Sequence, residues 1–113
     1  MLIRIVKLTF QKDKVNDFLT FFDSIKDQVN TFPGCLGMKL LQGMDDPCTI
    51  MTYSHWEGAE DLENYRTSET FGKIWPTIKP WFASKPEAWS VETYFDGFEK
   101  DTILKIKNEF FLN

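Results

Sequence analysis

The sequence predicts a single α+β domain whose elements run β-α-β-β-α-β along the chain. Three observations predict it. Four segments are rich in β-branched and aromatic residues, and two longer ones repeat apolar residues at helical spacing. The middle two strand-like segments are joined by a loop of Gly, Asp and Pro, the composition of a hairpin.

Leu2 to Phe10 (LIRIVKLTF) carries charge only at Arg4 and Lys7, so it reads as a strand buried at least partly on both faces. Asp13 then offers an N-cap, and Val15, Phe18, Leu19, Phe22, Ile25 and Val29 follow at spacings that share one helix face. Lys14, Asp17, Asp23, Lys26 and Asp27 occupy the opposite face, and Phe32-Pro33-Gly34 ends the helix. Cys35 to Gln42 and Thr49 to Trp56 form the two arms of a hairpin closed by Gly43-Met44-Asp45-Asp46-Pro47. In the second arm, Ile50, Thr52, Ser54 and Trp56 alternate with Met51, Tyr53 and His55, and either set could face the core.

A short helical segment, Ala59 to Arg66, precedes a second amphipathic helix capped by Ser68, with Phe71, Ile74, Trp75, Ile78, Trp81 and Phe82 on its apolar side. Pro76 and Pro80 interrupt that helix. A proline inside a regular helix costs about 3 kcal/mol, which predicts a kink or break between Gly72 and Pro76. Ala88 to Phe95 is the fourth strand, and Trp56 and Trp89 read as core. Residues 1–95 thus make the domain. Residues 96–113 form a tail whose Ile103, Leu104, Ile106, Phe110 and Phe111 predict packing on the body or on a partner.

Two strand-helix-strand units sharing a hairpin give the ferredoxin-like arrangement, a four-stranded antiparallel sheet. Right-handed crossovers place both helices on one face. The other face is left bare, yet Ile3 and Ile5 oppose Leu2, Val6 and Leu8, and Cys35 and Leu41 oppose Leu36, Met38 and Leu40. A bare apolar face of several hundred Å² is rare on a monomer. The expectation is a homodimer whose second copy covers it.

Composition narrows the function classes. Thirteen basic against seventeen acidic residues give a net charge of -4, and no basic cluster exists to meet a phosphate backbone, so nucleic acid is not the expected partner. No stretch approaches the roughly 20 apolar residues of a membrane span. Met1-Leu2-Ile3-Arg4 runs straight into the first strand without a signal-like segment, which predicts a cytoplasmic protein. Cys35 and Cys48 are too few for a disulfide scaffold and lack metal-site spacing, so both are expected to be reduced, with Cys35 beside Trp56. No phosphate loop, nucleophile elbow or nucleotide fingerprint appears, and no metal is expected. An aromatic fraction of 16% is high and concentrates on the second long helix.

Several segments together resemble the antibiotic biosynthesis monooxygenase family of dimeric α+β barrels. They are Val6-Lys7-Leu8-Thr9-Phe10, Phe32-Pro33-Gly34-Cys35-Leu36, Asp45-Asp46-Pro47, Thr52-Tyr53-Ser54-His55-Trp56, and Leu62 to Phe71 (LENYRTSETF). The resemblance covers residues 2–95. It implies oxidation of a quinol, anthrone or similar phenolic aromatic by O2, with no flavin, metal or other cofactor. A phenol that loses its proton becomes a strong one-electron donor, so such a site need only bind it dry, deprotonate it and admit O2.

The chain also departs from the family. Tyr65 stands where a His is frequent. Haem-degrading relatives place an Asn, a Trp and a haem-ligating His where this chain has Val6, Tyr65 and Trp75. Haem degradation is therefore disfavoured.

The candidate catalytic residues are His55, the only histidine, as proton acceptor, and Tyr65 as hydrogen-bond donor to a substrate oxygen. Tyr53, Phe71 and Trp75 could wall a planar ligand, and Arg66 could steady an anionic oxygen. Each has a plainer reading: His55 on a dimer seam, the aromatics as core, Arg66 in water. The alternative function is a non-catalytic dimeric barrel that binds a small aromatic ligand or has a structural role. A third is haem binding through His55.

Overall fold

The computed structural model describes residues 1–98. Its sheet contains β1 (Leu2–Thr9), β2 (Cys35–Gln42), β3 (Thr49–Trp56) and β4 (Glu87–Val91), all antiparallel, in the order β2-β3-β1-β4. Helix α1 (Val15–Asn30) connects β1 to β2, and α2 (Ala59–Arg66) and α3 (Glu69–Ile78) follow one another between β3 and β4. This is the ferredoxin-like α+β fold, and in the single chain its sheet is open.

The register decides which residues face the helices. Val6 lies opposite Thr52 on one side and Ala88 on the other, and Arg4 lies opposite Ser54 and Ser90. Alternation then sends Arg4, Val6, Leu8, Thr52, Ser54 and Trp56 toward α1 and α3, and Ile3, Ile5, Tyr53, His55, Trp89 and Val91 to the bare side. On the helix side the core joins Leu8, Phe10 and Ile50 to Val15, Phe18 and Val29 of the α1 layer and to Ile74 and Ile78 of α3. Phe10 stacks on Phe18 at 4.3 Å between ring centroids. Burying each such side chain contributes about 1.5–3 kcal/mol.

Element ends have local causes. Before α1 the chain makes a 3-10 turn, Lys12–Lys14, and Asp13 is not the cap that the sequence suggested. The Gln11 carbonyl accepts from the Lys14 amide, and the Gln11 side chain reaches the Pro80 carbonyl, so this connection is held from both ends. Helix α1 stops at Thr31, whose hydroxyl donates to the Asp27 carbonyl. Gly34 then takes φ +86°, and a Cβ there would collide with the Asp61 side chain; the turn needs glycine on both counts. In the hairpin loop, the Asp46 carboxylate accepts from the Cys48 amide at 3.1 Å and the Thr49 hydroxyl at 3.2 Å.

Three further expectations are corrected. Helix α3 runs unbroken through Pro76 to Ile78, then tightens into a 3-10 turn, Lys79–Trp81. Pro76 removes one backbone donor, and the burial of Ile74 and Ile78 on either side of it holds the helix in the core. Strand β4 ends at Val91, not Phe95: Val91 already pairs with Ile3, and β1 has only Leu2 left beyond it. Trp56 is core at 1% exposure, but Trp89 is 42% exposed on the bare face. Cys35 pairs with Trp56 as expected, and both thiols are free and half-buried. The expected packing of Ile103, Leu104, Ile106, Phe110 and Phe111 lies outside the described residues.

Candidate active site

Between the sheet and the three helices lies a cavity of about 360 Å³, the size of a small-molecule site. Most of its wall is apolar: Val6 and Leu8 on the floor, Phe18, Phe22 and Ile25 from α1, and Phe71, Ile74 and Trp75 from α3. Aromatic contacts run continuously around it. Tyr65 touches Trp56 at 5.2 Å and Phe71 at 5.4 Å; Phe71 stacks on Trp75 at 5.6 Å and 15°; Trp75 meets Phe82 edge-on at 5.5 Å. Such offset and edge contacts fix ring planes and leave a flat, stiff wall.

Polar groups collect at one end. Arg4 from β1, Ser54 from β3, and Tyr65 and Arg66 from the end of α2 all line it. Ser54 is buried and accepts from the Trp56 indole at 2.9 Å, which holds that ring in place. The Ser68 hydroxyl donates to the Tyr65 carbonyl at 2.6 Å and accepts from the Phe71 amide at 3.2 Å, so one side chain joins α2 to α3 just behind the wall. Tyr65 is pushed up to about 12, first by burial and then by the neighbouring Cys35. It is a protonated hydroxyl throughout the neutral range. Arg4 donates to the Ser90 hydroxyl at 3.0 Å, and its guanidinium is held below its usual range by burial and by the positive charge of Arg66.

The structure gathers Tyr65, Arg66, Phe71 and Trp75 in this one cavity. It puts Tyr53 and His55 on the opposite face of the sheet, where the His55 Nε2 lies 2.8 Å from the Tyr53 hydroxyl. His55 and Tyr65 therefore do not share a site within one chain, because neighbouring positions on a strand point to opposite faces. His55 is the only histidine, so the cavity holds no imidazole to take a proton or ligate a haem. Among the described residues no three His, Cys, Asp or Glu side chains come together as a metal-binding set. Sequence reasoning missed Arg4. Its parity with Val6 and Leu8 was the available signal.

The fold and cavity define a ferredoxin-like α+β protein with a ligand-sized aromatic chamber between helices and sheet. The chain belongs to the antibiotic biosynthesis monooxygenase family, whose model matches residues 1–75. No curated protein matches the sequence. Solved structures share the fold at low identity. One described as an antibiotic biosynthesis monooxygenase has a TM-score of 0.79 at 17% identity, over 84% of this chain and 100% of its own. A Nitrosomonas europaea protein, provisionally assigned the same way, has a TM-score of 0.78 at 20% identity, over 84% of this chain and 100% of its own. A conserved Methanosarcina mazei protein has a TM-score of 0.76 at 20% identity, over 82% of this chain and 93% of its own.

Proposed function

We propose that the protein is a cofactor-independent monooxygenase that oxidises a quinol, anthrone or related phenolic aromatic with O2. One observation carries this reading: an apolar chamber with a stacked aromatic wall is also lined by Tyr65, which stays protonated at neutral pH, and by two arginines. The ring of the substrate lies along Phe71 and Trp75. Its oxygen accepts from Tyr65, and Arg66 favours the anionic form. Since the chamber contains no imidazole, the site lowers the substrate's own pKa and lets water carry the proton away. The resulting anion is a ready electron donor to O2. For an anthrone, the ring CH2 and O2 become a carbonyl and water, and the substrate itself supplies all four electrons.

The bare sheet face is the seat of a second copy. Tyr53 and His55 belong to that seam along with Ile5, Trp89 and Leu41, which gives them a role away from the chamber.

The test is O2 uptake by the purified protein with a panel of reduced quinones and anthrones. Consumption above the buffer rate, lost when Trp75 is replaced by a small residue, is the expected result. No uptake across the panel sinks the catalytic reading. The missing imidazole favours a second reading, a ligand-binding dimer without turnover; aromatic binding without uptake would support it.

A further inference from the structure

Two arginines line a chamber that is otherwise largely apolar, and the proposed reaction makes use of only one of them. Arg4 projects from the floor of the sheet, in line with Val6 and Leu8, and Arg66 reaches in from the last turn of α2. Arg66 is half exposed and is met at 3.2 Å by Glu63 on its own helix. Among the described residues Arg4 has no carboxylate partner; its one side-chain hydrogen bond is to the neutral Ser90. Glu87 also borders the chamber, but it is exposed and makes no ion pair with Arg4.

We infer that Arg4 and Arg66 form an anion subsite at the polar end of the chamber, and that the substrate is an aromatic carrying a carboxylate as well as its oxidisable ring. This rests on the reading of the chamber as an aromatic site and adds the substrate's charge class to it. Two arginine side chains line one space, and among the described residues only Arg66 has a counter-ion, which leaves positive charge uncompensated beside an apolar wall. An anion placed between them offsets both burial and their mutual repulsion, which together disfavour the charged form of Arg4. Guanidinium groups match the two oxygens of a carboxylate in a planar fork. With the carboxylate held there, the ring lies along Phe71 and Trp75, and the Tyr65 hydroxyl is left for the phenolic oxygen.

The test compares two ligands of equal shape that cannot be oxidised at this site, 2-naphthoate and 2-naphthamide, by isothermal titration calorimetry. The wild type should bind the carboxylate about tenfold tighter than the amide, the low end for a charged hydrogen bond in a partly open site. Arg4→Gln should bring the two affinities together by weakening the carboxylate far more than the amide. Arg66→Gln, at a half-exposed position, should shrink the preference several-fold and guards against misfolding of the Arg4 variant. Arg4→Lys should keep part of the preference. Equal affinities in the wild type, or a preference that survives both Gln variants, overturn the subsite yet leave the aromatic chamber intact. If neither ligand binds at millimolar concentration, the chamber reading falls with it.

Discussion

Tyr65 shows how one side chain couples stability to chemistry. Its ring is wedged among Phe32, Trp56 and Phe71, and the residue lines the chamber. A free tyrosine ionises near pH 10, and here the folded value is about 12. Below about pH 10 the group is protonated in both states and its contribution is fully present. As pH rises from 10 to 12, the unfolded chain gives up its proton first, so the contribution fades by up to about 2–3 kcal/mol. Tyr65→Phe retains the ring and removes the ionisation. Urea unfolding at pH 9, 10 and 11 should therefore show a smaller alkaline loss for the variant than for the wild type, and parallel slopes would refute the assignment. At neutral pH the same variant should lower kcat/KM roughly tenfold or more, since a donor to an anionic oxygen is lost. Tyr65 was legible in the sequence because it falls in the last turn of the short helix read from Ala59 to Arg66, within the segment that resembles the family. Arg4 was not: strand alternation divides residues into two sets, and only packing reveals which set the helices cover. Once Trp56 is known to be core, Ser54, Thr52 and, through the register, Arg4 and Val6 follow, and His55 must face away.

At the level of elements, the chamber wall depends on how α2 and α3 meet. Ser68 is the N-cap of α3 and also closes the last turn of α2 through the Tyr65 carbonyl. Ser68→Ala removes both bonds and should cost about 1 kcal/mol. Ser68→Asp can still accept from the Phe71 amide and should recover most of that loss. Denaturant midpoints of the three proteins decide it: an Asp variant no better than Ala would show that capping is not the source. The effect should also reach ligand affinity, because Tyr65 and Phe71 flank the joint. Most elements could be read from spacing alone, since their apolar faces are long and regular, and Ser68 and Ala59–Arg66 were placed by the same logic. Two features depended on neighbours that no local pattern contains. The continuity of α3 past Pro76 rests on the burial of Ile74 and Ile78 against the sheet and α1, and the end of β4 on the length of the strand it pairs with.

At the scale of the whole molecule, the helices among the described residues cover one side of the sheet only. Three helices cover the face that carries Val6 and Leu8, whereas Leu41, Trp89 and Val91 remain 46%, 42% and 41% exposed on the other. Ile5, Tyr53 and His55 lie between them in register. Lys7 and Lys39 edge this surface, so its middle is apolar and its margin charged, the anatomy of an interface centre with a polar rim. Isolated apolar residues on a surface need no explanation, but a contiguous patch that spans β4, β1, β3 and β2 does. A two-fold copy meets the same residues with the same residues, so the contact closes on itself. At micromolar concentration the wild type should sediment at about twice the mass of one chain. Trp89→Glu places a charge where two sheets would meet, and should shift the protein to monomer without unfolding it, since that side chain contributes little to the core of a single chain. Because the chamber lies on the other side of the sheet, the monomeric variant should still bind 2-naphthoate with affinity within a few-fold of the wild type. A wild type that sediments as a single chain would remove the dimer, and a variant that dissociates and loses all binding would show that the two faces are coupled through the sheet.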